Sequence, residues 1–186
     1  MNEWEYSMTP QQVLNFWFEQ STPAQWFKKD ERFDQQIQQQ FGKWHTQVAA
    51  AEAYAWRSSS EGRLAEIIVL DQFSRNLYRE QAAAFSCDPM ALALAQEAIA
   101  QGADQQLSPV QRSFLYMPFM HSESRLIHEK ALDLFTQLGI ENNLKFEKLH
   151  KAIIDRFGRY PHRNAVLGRT STPEELEFLK QPNSSF

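Results

Sequence analysis

Asp30-Glu31-Arg32-Phe33-Asp34-Gln35-Gln36-Ile37-Gln38-Gln39-Gln40-Phe41-Gly42-Lys43-Trp44-His45-Thr46-Gln47-Val48 decides the architecture. Its apolar residues Phe33, Ile37, Phe41, Trp44 and Val48 recur every three or four positions, which puts them on one stripe of an α-helix; a strand would need strict alternation. The same period returns in Leu64-Ile67-Ile68-Asp71, in Leu126-Ile127-Ala131-Leu134-Leu138 and in Phe146-Leu149-Ile153-Phe157. Gly102, Gly139 and Gly158 each follow such a stripe, where a helix commonly closes on a left-handed residue.

Helix starts are equally legible. Thr9-Pro10, Thr22-Pro23, Asp88-Pro89, Ser108-Pro109 and Thr172-Pro173 pair a capping residue with a proline suited to the first turn. In four of them Gln12, Gln25, Gln111 and Glu175 stand at the third helical position and complete a capping box, and Met8 and Val13 are spaced to staple the first. Arg57-Ser58-Ser59-Ser60-Glu61-Gly62 is a loop too short to link two domains. Residues 1–186 are therefore expected to form one all-α domain of about eight antiparallel helices, with 181–186 as an extended tail on which Phe186 docks. Asp88-Pro89 through Gly102, and Glu129 through Gly139, have the small-residue, helix-pair character of tetratricopeptide units.

Composition narrows the function classes. The chain has 14 Phe, 5 Trp and 5 Tyr, so a ring-filled core is expected. A formal charge of −4 and a pI of about 5.7 disfavour nucleic acid and anionic membrane as partners. Cys87 is the one cysteine, which excludes an intramolecular disulfide or a Cys-rich zinc site. Met1-Asn2-Glu3-Trp4-Glu5 lacks the basic and apolar regions of a signal peptide, and no apolar stretch is long enough to span a bilayer, so the expected location is cytoplasmic. Six glycines stand singly, which leaves no dinucleotide fingerprint, P-loop or Gly-x-Ser-x-Gly elbow, and no cofactor is implied. Glu147 and His150 make one Glu-x-x-His pair where a di-iron bundle needs two, so His150 reads as a hydrogen-bonded core histidine and no metal is expected.

Three polar phrases remain. Arg156-Phe157-Gly158-Arg159-Tyr160-Pro161-His162-Arg163-Asn164, continued by Leu167-Gly168-Arg169, is rich in arginine and free of acids, a composition suited to holding an anion. Asp71-Gln72-Phe73-Ser74-Arg75-Asn76 puts an acid on the apolar face of a helix, where burial demands a positive partner. Arg112, followed by Tyr116-Met117-Pro118-Phe119-Met120-His121-Ser122-Glu123, places a histidine just beyond a proline that should kink or end its helix. His121 could act as an acid or base if Glu123 or Asp71 oriented it. The competing interpretation makes all three phrases internal mortar, with arginines capping helix ends and pairing with buried acids.

Those three phrases, with Phe16-Trp17-Phe18 and Thr172-Pro173-Glu174-Glu175 at the limits, resemble an uncharacterised, mainly bacterial family known as domain of unknown function 924. Ser74 stands where the family often has Pro, and Tyr160 where it often has Phe. The resemblance implies a tetratricopeptide-like superhelix and brings no activity. It marks Asp71, Arg75, Asn76, Arg112, His121, Glu123, Arg159, His162, Arg163 and Asn164 as signature positions. The leading expectation is that these positions converge on one pocket for a small anionic ligand or an acidic peptide group. In it Arg75, Arg112, Arg159 and Arg163 bind charge, His121, His162 and Asn164 orient the ligand, and Asp71 and Glu123 hold the arginines. The alternatives are an enzyme using His121 or His162 on a phosphorylated or carboxylated substrate, and a protein-interaction scaffold. The sequence specifies neither oligomeric state nor partner.

Overall fold

The computed structural model describes residues 8–186, so Met1–Glu5, which carried the expectation about a leader, lies outside the described residues. Among the described residues there are nine helices and no strand. They are α1 (Pro10–Leu14, continued by a π-helical stretch Asn15–Gln20), α2 (Pro23–Phe27), α3 (Glu31–Ala49), α4 (Ser60–Ile68, a π-helical stretch Val69–Phe73, then Ser74–Leu77), α5 (Asp88–Ala100), α6 (Pro109–Met120), α7 (Arg125–Leu138), α8 (Glu141–Phe157) and α9 (Pro173–Leu179). No described helix is long and apolar enough to cross a membrane.

The start signals act as local chemistry requires. At all four capping boxes the third-position side chain returns to the cap's backbone N–H: Gln12 to Thr9 at 2.8 Å, Gln25 to Thr22 at 2.9 Å, Gln111 to Ser108 at 3.0 Å and Glu175 to Thr172 at 2.8 Å. Asp88 departs from expectation. Cys87 occupies the cap position without a side-chain bond, and Asp88 is the first helical residue, its carboxylate taken by Arg75 at 2.8 Å. Pro118 lies inside α6, which continues to Met120 and closes on His121. The tail is not extended: it turns through Asn183 (φ 60°), Ser184 Oγ donates to Leu179 O at 3.1 Å, and Phe186 stacks on His150 with ring centres 3.8 Å apart.

Packing is organised around α4. Residues 64–74 are buried without a break, and the rod touches α1, α3, α5 and α6. A helix covered on every side belongs at the centre of a domain. One half of its surroundings is a mass of rings. Trp17 meets Trp26, Phe33, Phe73 and Phe114 with centres 6.1, 6.0, 5.7 and 5.6 Å apart, while Phe16 sits 5.0 Å from Phe41 and Phe41 4.9 Å from Phe73. Edge and offset contacts of this kind add about 0.5–1.5 kcal/mol per pair beyond area burial. On the other side α6, α7 and α8 pack in succession through the short turns 121–124 and 139–140, which places neighbours antiparallel and fits the tetratricopeptide-like arrangement.

Candidate functional site

Asp71 sits in the π-helical stretch of α4, fully buried, and such one-turn widenings occur often at functional positions. Its Oδ1 lies 2.7 Å from His121 Nδ1 at the end of α6, and its Oδ2 accepts from Gln72 Nε2 at 2.7 Å. Burial pushes the carboxyl up, but His121, Arg75 and Gln72 outweigh it and hold Asp71 below the usual carboxylate range. Burial and the nearby Arg75 cation push His121 down, against the pull of Asp71. These directions favour, at neutral pH, a carboxylate accepting from a neutral imidazole. Nδ1 then carries the proton and Nε2 a lone pair with no hydrogen-bond partner among the described residues, on a side chain that is 14% exposed.

Two arginines flank this dyad. Arg75 binds Asp88 with both terminal nitrogens, at 2.8 and 3.0 Å, and the Asp71 carbonyl at 2.7 Å. Arg163, from the 3₁₀ turn Pro161–Arg163, donates from Nη2 to the His121 carbonyl at 3.0 Å. Its guanidinium lies between the rings of Phe85 and Tyr160, 4.5 Å from each centre, an arrangement that offsets part of the cost of burying charge. Its closest carboxylate atom in an ion pair is Asp88 Oδ2, 3.6 Å from Nη1 and beyond hydrogen-bond reach, and its Nε is buried with no partner. Burial, together with Arg75, lowers Arg163 to about 10.

Around this centre lie networks in which acids, arginines and ring groups pair with one another, Glu147 Oε2 excepted. Glu123 accepts from Arg169 at 2.7 and 2.9 Å and from the Tyr160 backbone N–H at 2.7 Å. Glu175 binds Arg159 through both oxygens at 2.7 and 2.8 Å and accepts from Asn164 at 3.2 Å. Arg159, with the Thr172 backbone and Asn164 in support, holds the Glu175 carboxyl down to about 2. Asn164 also accepts from Arg169 Nε at 2.9 Å. Tyr160 donates its hydroxyl to Met120 O at 2.5 Å and lies 3.1 Å from His128 Nε2. His128 Nδ1 lies 2.8 Å from Glu147 Oε1, and burial raises Glu147 against the opposing effect of His128.

Of the positions expected to share a pocket, some are neighbours in the fold and some are not. The structure brings Asp71, Arg75, His121 and Arg163 together, with Glu123, Arg159, His162 and Asn164 in the adjoining turn. Burial lowers His162 to about 4, and its Nδ1 is sealed without a partner. Two signature residues lie apart. Arg112 donates to Asp104 O at 3.0 Å, beside the Tyr116 hydroxyl that binds the Asp104 carboxylate at 2.6 Å. Asn76 donates to Asp34 at 2.8 Å, where Arg79 also binds at 2.7 and 2.8 Å. Asp88, Phe85, Tyr160, Arg169 and Glu175 were not singled out as site residues. The excess of arginine in 156–169 was a signal that acids must arrive from elsewhere, but not which ones.

A family model described as a bacterial protein of unknown function (DUF924) matches residues 13–183. A solved structure of a protein of unknown function from Agrobacterium tumefaciens is 38% identical, with a TM-score of 0.88 over 92% of this chain and 96% of that one. No curated protein matches.

Proposed function

The chain belongs to the bacterial family of unknown function DUF924, and for it we propose, from its own side chains, the binding of a small anionic ligand where Arg75, His121 and Arg163 meet. The observation that carries this reading is Arg163. The residue is 6% exposed, yet its Nε is orphaned and its Nη1 stands 3.6 Å from the Asp88 carboxylate. Buried guanidinium groups normally satisfy their donors on protein or water, so a cation left this short of acceptors is suited to one from outside. Arg75 and Arg163 face Asp71 and Asp88, so the centre is close to neutral and an arriving anion meets no net repulsion.

The binding set is narrower than the signature positions. Arg159, Asn164 and Glu123 are consumed by one another's neighbours and serve as the frame; Arg112 and Asn76 brace other helices. His162 borders the centre with its orphaned Nδ1. The exposed large apolar side chains Phe27, Tyr54, Leu126 and Leu176 are spread over four elements, which gives the scaffold alternative less support. The lone buried Cys87 suits a reducing, cytoplasmic setting, which is part of the same proposal.

The test is thermal unfolding of the wild type and of Arg163→Lys with orthophosphate and succinate. A ligand that binds the folded form at about a hundred times its Kd adds roughly 2.7 kcal/mol. A rise in Tm is expected for the wild type with at least one anion. Arg163→Lys keeps the charge, loses the fork of donors and should respond much less. No rise in the wild type, or an equal rise in Arg163→Lys, overturns the proposal.

A further inference from the structure

The atoms left over at this centre are of two opposite kinds, and together they describe a ligand. On the donor side stands Arg163 Nη1, which has no hydrogen bond among the described residues and lies 3.6 Å from Asp88 Oδ2. Arg75 Nε likewise has no hydrogen bond among the described residues. Both belong to cations and want a negative oxygen. On the acceptor side stands His121 Nε2. Asp71 Oδ1, 2.7 Å away, has claimed the proton for Nδ1, so Nε2 offers a lone pair and nothing else. The 3.0 Å bond from Arg163 Nη2 to the His121 backbone carbonyl sets the two residues side by side.

We propose, on the basis of the anion site above, that the ligand carries a negative oxygen and its own O–H group, as a protonated phosphate or a 2-hydroxy carboxylate does, and that oxyanions without a proton are turned away. An anion bearing only lone pairs could satisfy the arginines but would set an oxygen lone pair against the lone pair of Nε2. The O–H of a protonated oxyanion turns that repulsion into a charge-linked hydrogen bond. The rigidity of the arrangement matters. Asp71 is fully buried on the central helix and also tied to Gln72 and Arg75, so the imidazole is not at liberty to turn its protonated nitrogen outward. A site built around a hydrogen bond to a hydroxyl discriminates strongly against the analogue that lacks it, because its polar group is then left unmatched.

Two pairs of probes isolate the O–H group. At about pH 8 orthophosphate is mainly a dianion that keeps one proton, and sulfate is a tetrahedral dianion that has none. Glycolate and acetate differ in the same sense, by a hydroxyl beside the carboxylate. Calorimetric titration of the full chain is expected to show at least about a tenfold preference for the proton-bearing member of one pair or both. The pair that discriminates identifies the class, phosphate or hydroxy acid. His121→Phe removes the acceptor and should collapse that preference to within about threefold, by weakening binding of the proton-bearing member and relieving the repulsion felt by the proton-free one. His121→Gln, whose amide can present an N–H, is the companion variant if the first does not fold, with the same expected collapse. Equal affinity within both pairs overturns this inference and leaves the anion site standing. Failure of all four probes to bind overturns the anion site itself. A preference that survives both substitutions also overturns the inference, because it then does not come from Nε2.

Discussion

The two sides of the central helix α4 solve burial in opposite ways. On one side Phe16, Trp17, Phe33, Phe41, Phe73 and Phe114 fill space with rings, and what specifies the arrangement is shape. On the other, Asp71, Arg75, His121, His128, Glu147, Tyr160 and Arg163 bury charge and hydrogen-bonding capacity, and what specifies the arrangement is partnership. Five buried side-chain polar atoms lack a partner among the described residues; three of them, Glu147 Oε2, His162 Nδ1 and Arg163 Nε, fall on the polar side. A packed aromatic core gains from being complete. A polar interior held short of complete pairing is destabilising unless something else is served, which is why function is sought there and not among the rings.

The largest expected effect separates the sides by stability alone. Trp17→Ala removes the ring at the middle of the aromatic contacts and should destabilise the fold by about 3–5 kcal/mol in urea titration. In the molecules that remain folded, affinity at the Arg163 centre should be unchanged. Affinity that falls along with stability would mean that the two sides are coupled, contrary to the contrast drawn above.

A smaller effect belongs to the polar side and appears only with acid. Burial lowers His162 from 6.5 to about 4 and His150 from 6.5 to about 3. The unfolded chain therefore binds these protons first, and stability is full above about pH 6.5 and declines as pH falls toward the folded values. A loss on the order of 1–3 kcal/mol per histidine across that window is expected from denaturation at a series of pH values. His150→Phe should flatten the acid limb. An unchanged slope would show that His150 is not held neutral in the folded state.

Sequence legibility follows the range of the interactions. Thr9, Thr22, Ser108 and Thr172 act as caps because capping joins residues three positions apart, so the signal and its cause share one window. Asp88 has the same local signature, yet Arg75, thirteen positions earlier, takes its carboxylate. Arg112 and Asn76 were grouped with the site because they stand in the same phrases as His121 and Asp71. Their partners, Asp104 and Asp34, are brought to them by packing that no local pattern encodes. The pairing of Asp71 with His121 spans fifty residues, and what made it partly legible was an acid on an apolar helical face, which must find a donor.

The selectivity proposed for the site, a ligand that brings its own O–H group, rests on which nitrogen of His121 is bare, and long-range proton–nitrogen NMR spectra of the imidazole side chains read this directly. At about pH 8 the expected result is a neutral His121 ring with the proton on Nδ1 and an unprotonated Nε2. A His121 signal with the proton on Nε2, or on both nitrogens, would contradict the account.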